Sequence, residues 1–83
     1  MEVDVKLFAT FQKGRFARRQ LTVPEKATVS DLLRLLDIAA DDVGILVVNH
    51  RDATLKQPLD EGDRITIIPV IGGGKPPAGF RFR

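Results

Sequence analysis

The chain has 83 residues, 43% of them hydrophobic and 29% charged, with a net charge of +2 and no cysteine. That length fits a single domain with a small core, and the missing cysteine excludes a disulfide framework and a thiolate zinc site. No apolar stretch approaches the roughly 20 residues of a membrane span, and the acidic, alternating start Met1-Glu2-Val3-Asp4 is unlike a signal peptide, so a cytoplasmic location without a membrane partner is expected.

Residues 2–8 alternate, with Val3, Val5 and Leu7 on one side and Glu2, Asp4, Lys6 and Phe8 on the other, the period of a half-buried strand. Residues 9–17 hold Gly14 and a polar cluster and read as a hairpin loop. A second strand at about 18–23 places Arg19, Leu21 and Val23 on one face, and Pro24 stops it because proline lacks the ladder donor. Thr28 is a good helix N-cap with Asp31 three positions on, a capping-box arrangement with Asp in place of Glu or Gln. Val29, Leu32, Leu33 and Leu36 then follow the i, i+3, i+4, i+7 rule of a core-facing stripe.

The apolar run 44–48 predicts a third strand, Asn49-His50-Arg51-Asp52 a turn, and 53–55 a short return strand. Pro58 to Asp63 form a second turn. The last strand, 64–70, sets Ile65, Ile67 and Pro69 on one face and Arg64, Thr66 and Ile68 on the other. With one helix to cover one sheet, this order predicts a two-layer α+β domain over residues 1–71.

Residues 72–83 differ in kind. Gly72-Gly73-Gly74 follows the last strand directly, and glycine loses the most entropy on ordering, so a mobile thread and tail are expected. Lys75, Arg81 and Arg83 lie in the last nine residues, where there is no acid; without them the net charge falls from +2 to −1. The basic balance therefore resides in the tail rather than on a domain face, and no nucleic-acid partner is expected. Taken alone, a glycine run is most often a linker; the competing reading is a backbone that must enter a narrow enzyme channel, and the run by itself does not separate the two.

The segment Leu59-Asp60-Glu61-Gly62-Asp63 through Ile71-Gly72-Gly73-Gly74 resembles the C-terminal signature of the MoaD/ThiS sulfur carriers. In that family a Gly-Asp turn is followed, nine residues on, by Gly-Gly. Here residues 64–72 are the nine, so the matching pair is Gly73-Gly74. Val5-Lys6-Leu7-Phe8-Ala9 is similar to the family's first strand. Val48-Asn49 resembles its Val-Asn-Gly hairpin, with His50 in place of the glycine.

The resemblance implies a ubiquitin-like β-grasp, one mixed sheet of four to five strands on one main helix, with the first and last strands adjacent and parallel. It implies a carrier rather than an enzyme. The carboxylate of Gly74 would be adenylated by a ubiquitin-activating-type enzyme that uses ATP, and a sulfur donor would convert it to a thiocarboxylate for an acceptor synthase subunit. No cofactor or metal is expected on the chain itself. Because Lys75 to Arg83 follow Gly74, the reading requires a protease that cuts after Gly74. Molybdopterin or tungstopterin synthesis is the leading pathway, with thiamine or amino-acid sulfur delivery next. A ubiquitin-like modifier or a non-covalent binding module are readings of other classes.

Phe8 and Ile68 fall on otherwise polar strand faces and, with Val70 and Ile71, are the candidate partner-binding residues. Arg15, Arg18 and Arg19 read as a solvated basic hairpin or an attraction for an acidic partner. His50 sits alone in a turn, with no cysteine to share a metal. Asp41-Asp42 and Asp60-Glu61 lack the spacing of a calcium loop, and Asp63 reads as the cap of its own turn. Phe80-Arg81-Phe82-Arg83 alternates aromatic and basic residues and suits addition to a sheet edge or stacking on a base.

Overall fold

The computed structural model describes residues 1–70. Five strands and one helix follow in the order β1 (Glu2–Leu7), β2 (Arg18–Thr22), α1 (Val29–Leu35), β3 (Val43–Val48), β4 (Arg51–Asp52) and β5 (Arg64–Pro69). The sheet order is β2-β1-β5-β3-β4. β1 and β5 are central and parallel, and the other pairs are antiparallel. This is the mixed sheet on one helix that the sequence predicts.

The alternation in β1 and β5 has its expected consequence. Val3, Val5, Leu7, Ile65 and Ile67 are at most 1% exposed and face the helix residues Val29, Leu32 and Leu33. Leu46 and Val48 of β3 complete the layer. Leu36, the fourth member of the helical stripe, is only partly buried and packs against the rim of this core.

The helix has seven residues, too short to persist on propensity alone, so its ends are held by neighbours. The capping box forms: the Thr28 N–H donates to Asp31 Oδ2 at 2.9 Å, and the Asp31 N–H donates to Thr28 Oγ1 at 3.3 Å. The Val29 and Ser30 N–H groups donate to the carbonyls of Gln57 and Leu55. At the other end Asp37 takes φ +57°. The Ile38 and Asp37 N–H groups return to the carbonyls of Leu33 and Arg34, a Schellman closure with Ile38 buried.

Four expectations are corrected. The 9–17 loop is not merely polar: Ala9–Gln12 is a 3-10 turn that buries Phe11 against the core. The third strand starts at Val43 rather than residue 44. The turn after it is only Asn49-His50, both at positive φ (+52° and +69°), the geometry of a two-residue hairpin whose twist matches the strands. Val48 therefore pairs with Arg51, and the return strand is 51–52 rather than 53–55. Ala53 is buried and still donates its N–H to the Leu46 carbonyl of β3 at 3.1 Å; the chain then turns away, and the Leu55 carbonyl is spent on the helix start.

Candidate functional site

The helix covers one face of the sheet, and the other face is open. β1 and β5 run in register through Leu7 and Ile67. Phe8 continues in extended conformation with its N–H on the Ile67 carbonyl at 3.3 Å. One step on, Phe8 and Ile68 occupy neighbouring positions on the open face, as the sequence pattern suggests. Phe8 is 36% exposed and Ile68 half-buried. Ile68 pairs in turn with Ile45 of β3, so an apolar row crosses three neighbouring strands. Val47 lies two residues along β3 from Ile45, and Val70 two residues beyond Ile68; both are half-buried.

Ile45 and Val47 were hidden in a continuous apolar run. A strand apolar on both sides gives no alternation to read. The signal that separates its faces is Gly44: a Cβ there would lie 3.0 Å from the Pro69 carbonyl oxygen and from Val70 Cα. The register of β3 against β5 shifts between Val43 and Ile45, a β-bulge, and only glycine lets the end of β5 pass so close. The Val70 N–H donates to the Asp42 carbonyl at 2.9 Å, which fixes the last described residue beside the apolar row. Ile71, Gly72, Gly73 and Gly74 lie outside the described residues.

The start of β5 is locked as firmly. Asp63 is 9% exposed. Its carboxylate accepts from the Asp60 N–H and from Asn49 Nδ2, each at 2.8 Å. Asn49 Oδ1 accepts from the Arg64 N–H at 3.0 Å. Asp63 is therefore the turn cap expected of it, and the same bonds tie the β3–β4 turn to β5.

The basic cluster around the first hairpin disperses. Arg15 is not a solvated cation: its guanidinium donates to the carbonyls of Leu36 (2.8 Å), Asp37 (2.9 Å) and Phe11 (3.3 Å) and clamps the end of α1. Arg18 joins the open face and pairs with Asp4 at 2.7 Å. This hydrogen bond holds the Asp4 carboxyl below its ordinary value. Arg19 lies over the Phe16 ring at 5.0 Å. On the open face Lys6 Nζ sits 5.6 Å from the centroid of the Phe8 ring, so the apolar row is rimmed by cations on its β1 side.

Among the described residues, no group of three or more His, Cys, Asp or Glu is placed to hold a metal, and no helix is long and apolar enough to cross a membrane. The described part presents an apolar row on the open face of its sheet.

A mixed five-stranded sheet on one helix, with parallel central first and last strands, defines the ubiquitin-like β-grasp class. The chain belongs to the ThiS family, whose pattern matches residues 5–74, a range that ends on Gly74. These are small ubiquitin-like carrier proteins. No curated protein matches. Solved structures share the fold, among them the following three. A candidate molybdopterin converting factor subunit 1 from Pyrococcus furiosus is 24% identical, with 86% of this chain and 99% of that one covered and a TM-score of 0.69. SAMP1 from Haloferax volcanii is 23% identical, with 88% and 99% covered and a TM-score of 0.70. Subunit 1 or 2 of molybdopterin-converting factor from Helicobacter pylori, in a structure of the two subunits in complex, is 19% identical, with 88% and 99% covered and a TM-score of 0.62.

Proposed function

We propose that the chain is a sulfur carrier that works through the carboxylate of Gly74. The observation that carries this reading is the frame around β5. Its start is fixed by the Gly62-Asp63 turn and its end by the Asp42 carbonyl beside an apolar docking face, and Gly73-Gly74 follow at the carrier spacing.

The chemistry needs four external groups. A protease hydrolyses the Gly74–Lys75 peptide bond and frees the carboxylate. A ubiquitin-activating-type enzyme then holds ATP; the carboxylate oxygen attacks the α-phosphorus, and pyrophosphate leaves. The mixed anhydride is an electrophile that a bare carboxylate is not. The terminal sulfur of a donor persulfide attacks the carbonyl carbon and AMP leaves, giving an acyl disulfide; a thiol then attacks the donor's sulfur, the S–S bond to the acyl sulfur breaks, the donor is left in a disulfide with that thiol, and the thiocarboxylate departs. The carrier itself contributes no acid, base or nucleophile beyond its terminus. Phe8, Ile45, Ile68 and Val70 present the face on which the partners dock.

The acceptor is read as the larger subunit of a molybdopterin or tungstopterin synthase, a partnership supported by the two-subunit Helicobacter pylori complex. Thiamine or amino-acid pathways are the alternative destinations. Incubating the full chain with host extract and weighing the product tests the first step. A fragment ending at Gly74 is expected. Persistent full-length mass beside an active pathway sinks the reading and leaves the non-covalent binding module. Target-linked species on a denaturing gel would instead identify a modifier joined through an isopeptide bond.

A further inference from the structure

We propose that the protein docked on the apolar row carries an acidic side chain, and that its carboxylate seats in the cleft next to the row, between Lys6 and Arg64. This rests on the reading of the row as the docking surface. It adds the chemistry of the partner: an apolar side chain with a carboxylate about 7 Å away, the length of two strand residues.

The cleft lies on the same face as the row, two residues along the strands. Lys6 and Thr66 are neighbours in the β1–β5 register, and they precede Phe8 and Ile68 by two residues each. Val47 stands beside Thr66, two residues beyond Ile45. Asp4 and Arg64 form the next pair along. Together with Arg18 and His50 these residues line a cleft of about 160 Å³, the liquid volume of about five waters, which is room for a carboxylate.

Charge decides what fits there. Three cations, Lys6, Arg18 and Arg64, line the cleft against one carboxylate, Asp4. That carboxylate is engaged: Arg18 Nη2 donates to Asp4 Oδ2 at 2.7 Å, and Nε donates to Oδ1 at 3.2 Å. The ion pairs among the described residues are Arg18–Asp4 and Arg34–Asp31, so neither Lys6 nor Arg64 has a carboxylate partner there. Both side chains are exposed, and the half-buried Thr66 beside Lys6 brings a hydroxyl donor. An incoming carboxylate is the complement of this set.

The other acids of this face stand at its margins. Asp52 pairs with Val47 on the edge strand β4, three strands from Lys6, about 14 Å at the usual spacing. Glu2 lies four residues before Lys6 in β1, about 13 Å along the strand, with Glu61 bonded to its N–H. Measured from Lys6, the cation next to the row, both distances exceed the screening length of about 8 Å at physiological salt. Asp41 and Asp42 are exposed on the opposite side of the row, where the Val70 N–H meets the Asp42 carbonyl. The row is thus flanked by cations at one side and carboxylates at the other. An acid-bearing partner is attracted at Lys6 and repelled at Asp41-Asp42, which fixes its direction along the strands.

The test uses the peptide acetyl-Leu-Ser-Glu-Ser-Leu-amide, which when extended sets a leucine two residues from the glutamate in either direction, and its counterpart with Gln in place of Glu. Amide ¹H–¹⁵N spectra of the full chain are followed through titration with each at about 20 mM salt, where screening is weak. The amides of Lys6, Phe8, Thr66 and Ile68 are expected to shift, with an affinity for the Glu peptide about fivefold above that for the Gln peptide. The ratio should fall towards one at about 0.5 M salt. Lys6→Gln/Arg64→Gln should abolish the ratio and leave the Gln peptide's affinity and the urea midpoint unchanged, since both side chains are exposed. Equal affinities for the two peptides, or a ratio that survives the double substitution, overturn the proposal. So does inorganic phosphate that moves the same amides at lower concentration than the Glu peptide, because the cleft is then a site for a free oxyanion. No protease, ATP or activating enzyme is present, so the result stands or falls apart from the carrier chemistry: a chain that never receives sulfur can show the ratio, and a carrier can lack it.

Discussion

Two residues sit in backbone environments that ordinarily call for the opposite choice of side chain. His50 occupies φ +69° in a two-residue turn, where glycine fits without steric cost. Gly44 occupies a strand position with no positive φ, and its value is the missing Cβ. The substitutions run in opposite directions. His50→Gly should raise stability by about 0.5–1 kcal/mol, seen as a higher urea midpoint with unchanged slope. An unchanged or lower midpoint would show that the His50 side chain contributes more than its strain costs. Gly44→Ala should cost about 1–3 kcal/mol through overpacking against the Pro69–Val70 backbone. It should also move the amides of Val43, Pro69's neighbours and Val70 more than those of β2. A neutral Gly44→Ala would remove the argument that this glycine fixes where β5 ends.

At the scale of elements, the helix is informative because it is short and yet held at both ends. Thr28→Ala removes a side-chain acceptor and should cost about 1 kcal/mol in thermal or urea unfolding. The reciprocal bonds from the Thr28 backbone N–H and then its hydroxyl hold the Asp31 carboxyl below its ordinary value of 3.8. With the folded value depressed, the unfolded chain takes up the proton first. The contribution of Asp31 to stability is therefore present above about pH 4 and lost as pH falls through the folded value. Asp31→Asn should flatten the drop in urea midpoint between about pH 6 and about pH 3; an equal drop in the variant would contradict the assignment. The Thr28–Asp31 pair is also the element feature most legible in the sequence, because a capping box is local. β1, β5 and the helical stripe are legible for the same reason: one side of each is apolar and the other polar. Three features are not. Phe11 packs through a 3-10 turn that looks like a polar loop. The faces of β3 are both apolar. Arg15 finds its carbonyl partners more than twenty residues away, a contact no local pattern encodes.

For the whole molecule, the division of labour is between a rigid sheet and the chain that follows it. The sheet holds β5 between β1 and β3 and presents Phe8, Ile45 and Ile68 together, although the sequence places them far apart. Phe8→Ser/Ile68→Ser should leave the urea midpoint nearly unchanged, since neither side chain belongs to the buried core, yet weaken binding to an adenylating partner by about tenfold or more if the row is the centre of the contact. Titration of the partner with both proteins decides it, and equal affinities would reject the face. The proposed glycine pair rests on sequence alone, through its spacing from Gly62-Asp63, whereas the apolar row needed the fold, because only strand pairing brings its residues together.

The central claim is that Gly74 is the working end of the molecule. It is tested most directly by the intact mass of the chain isolated from its own cell. A chain that ends at Gly74, with a fraction in which one oxygen is replaced by sulfur, is the predicted result. A population that retains Arg83 while the sulfur pathway runs would contradict it.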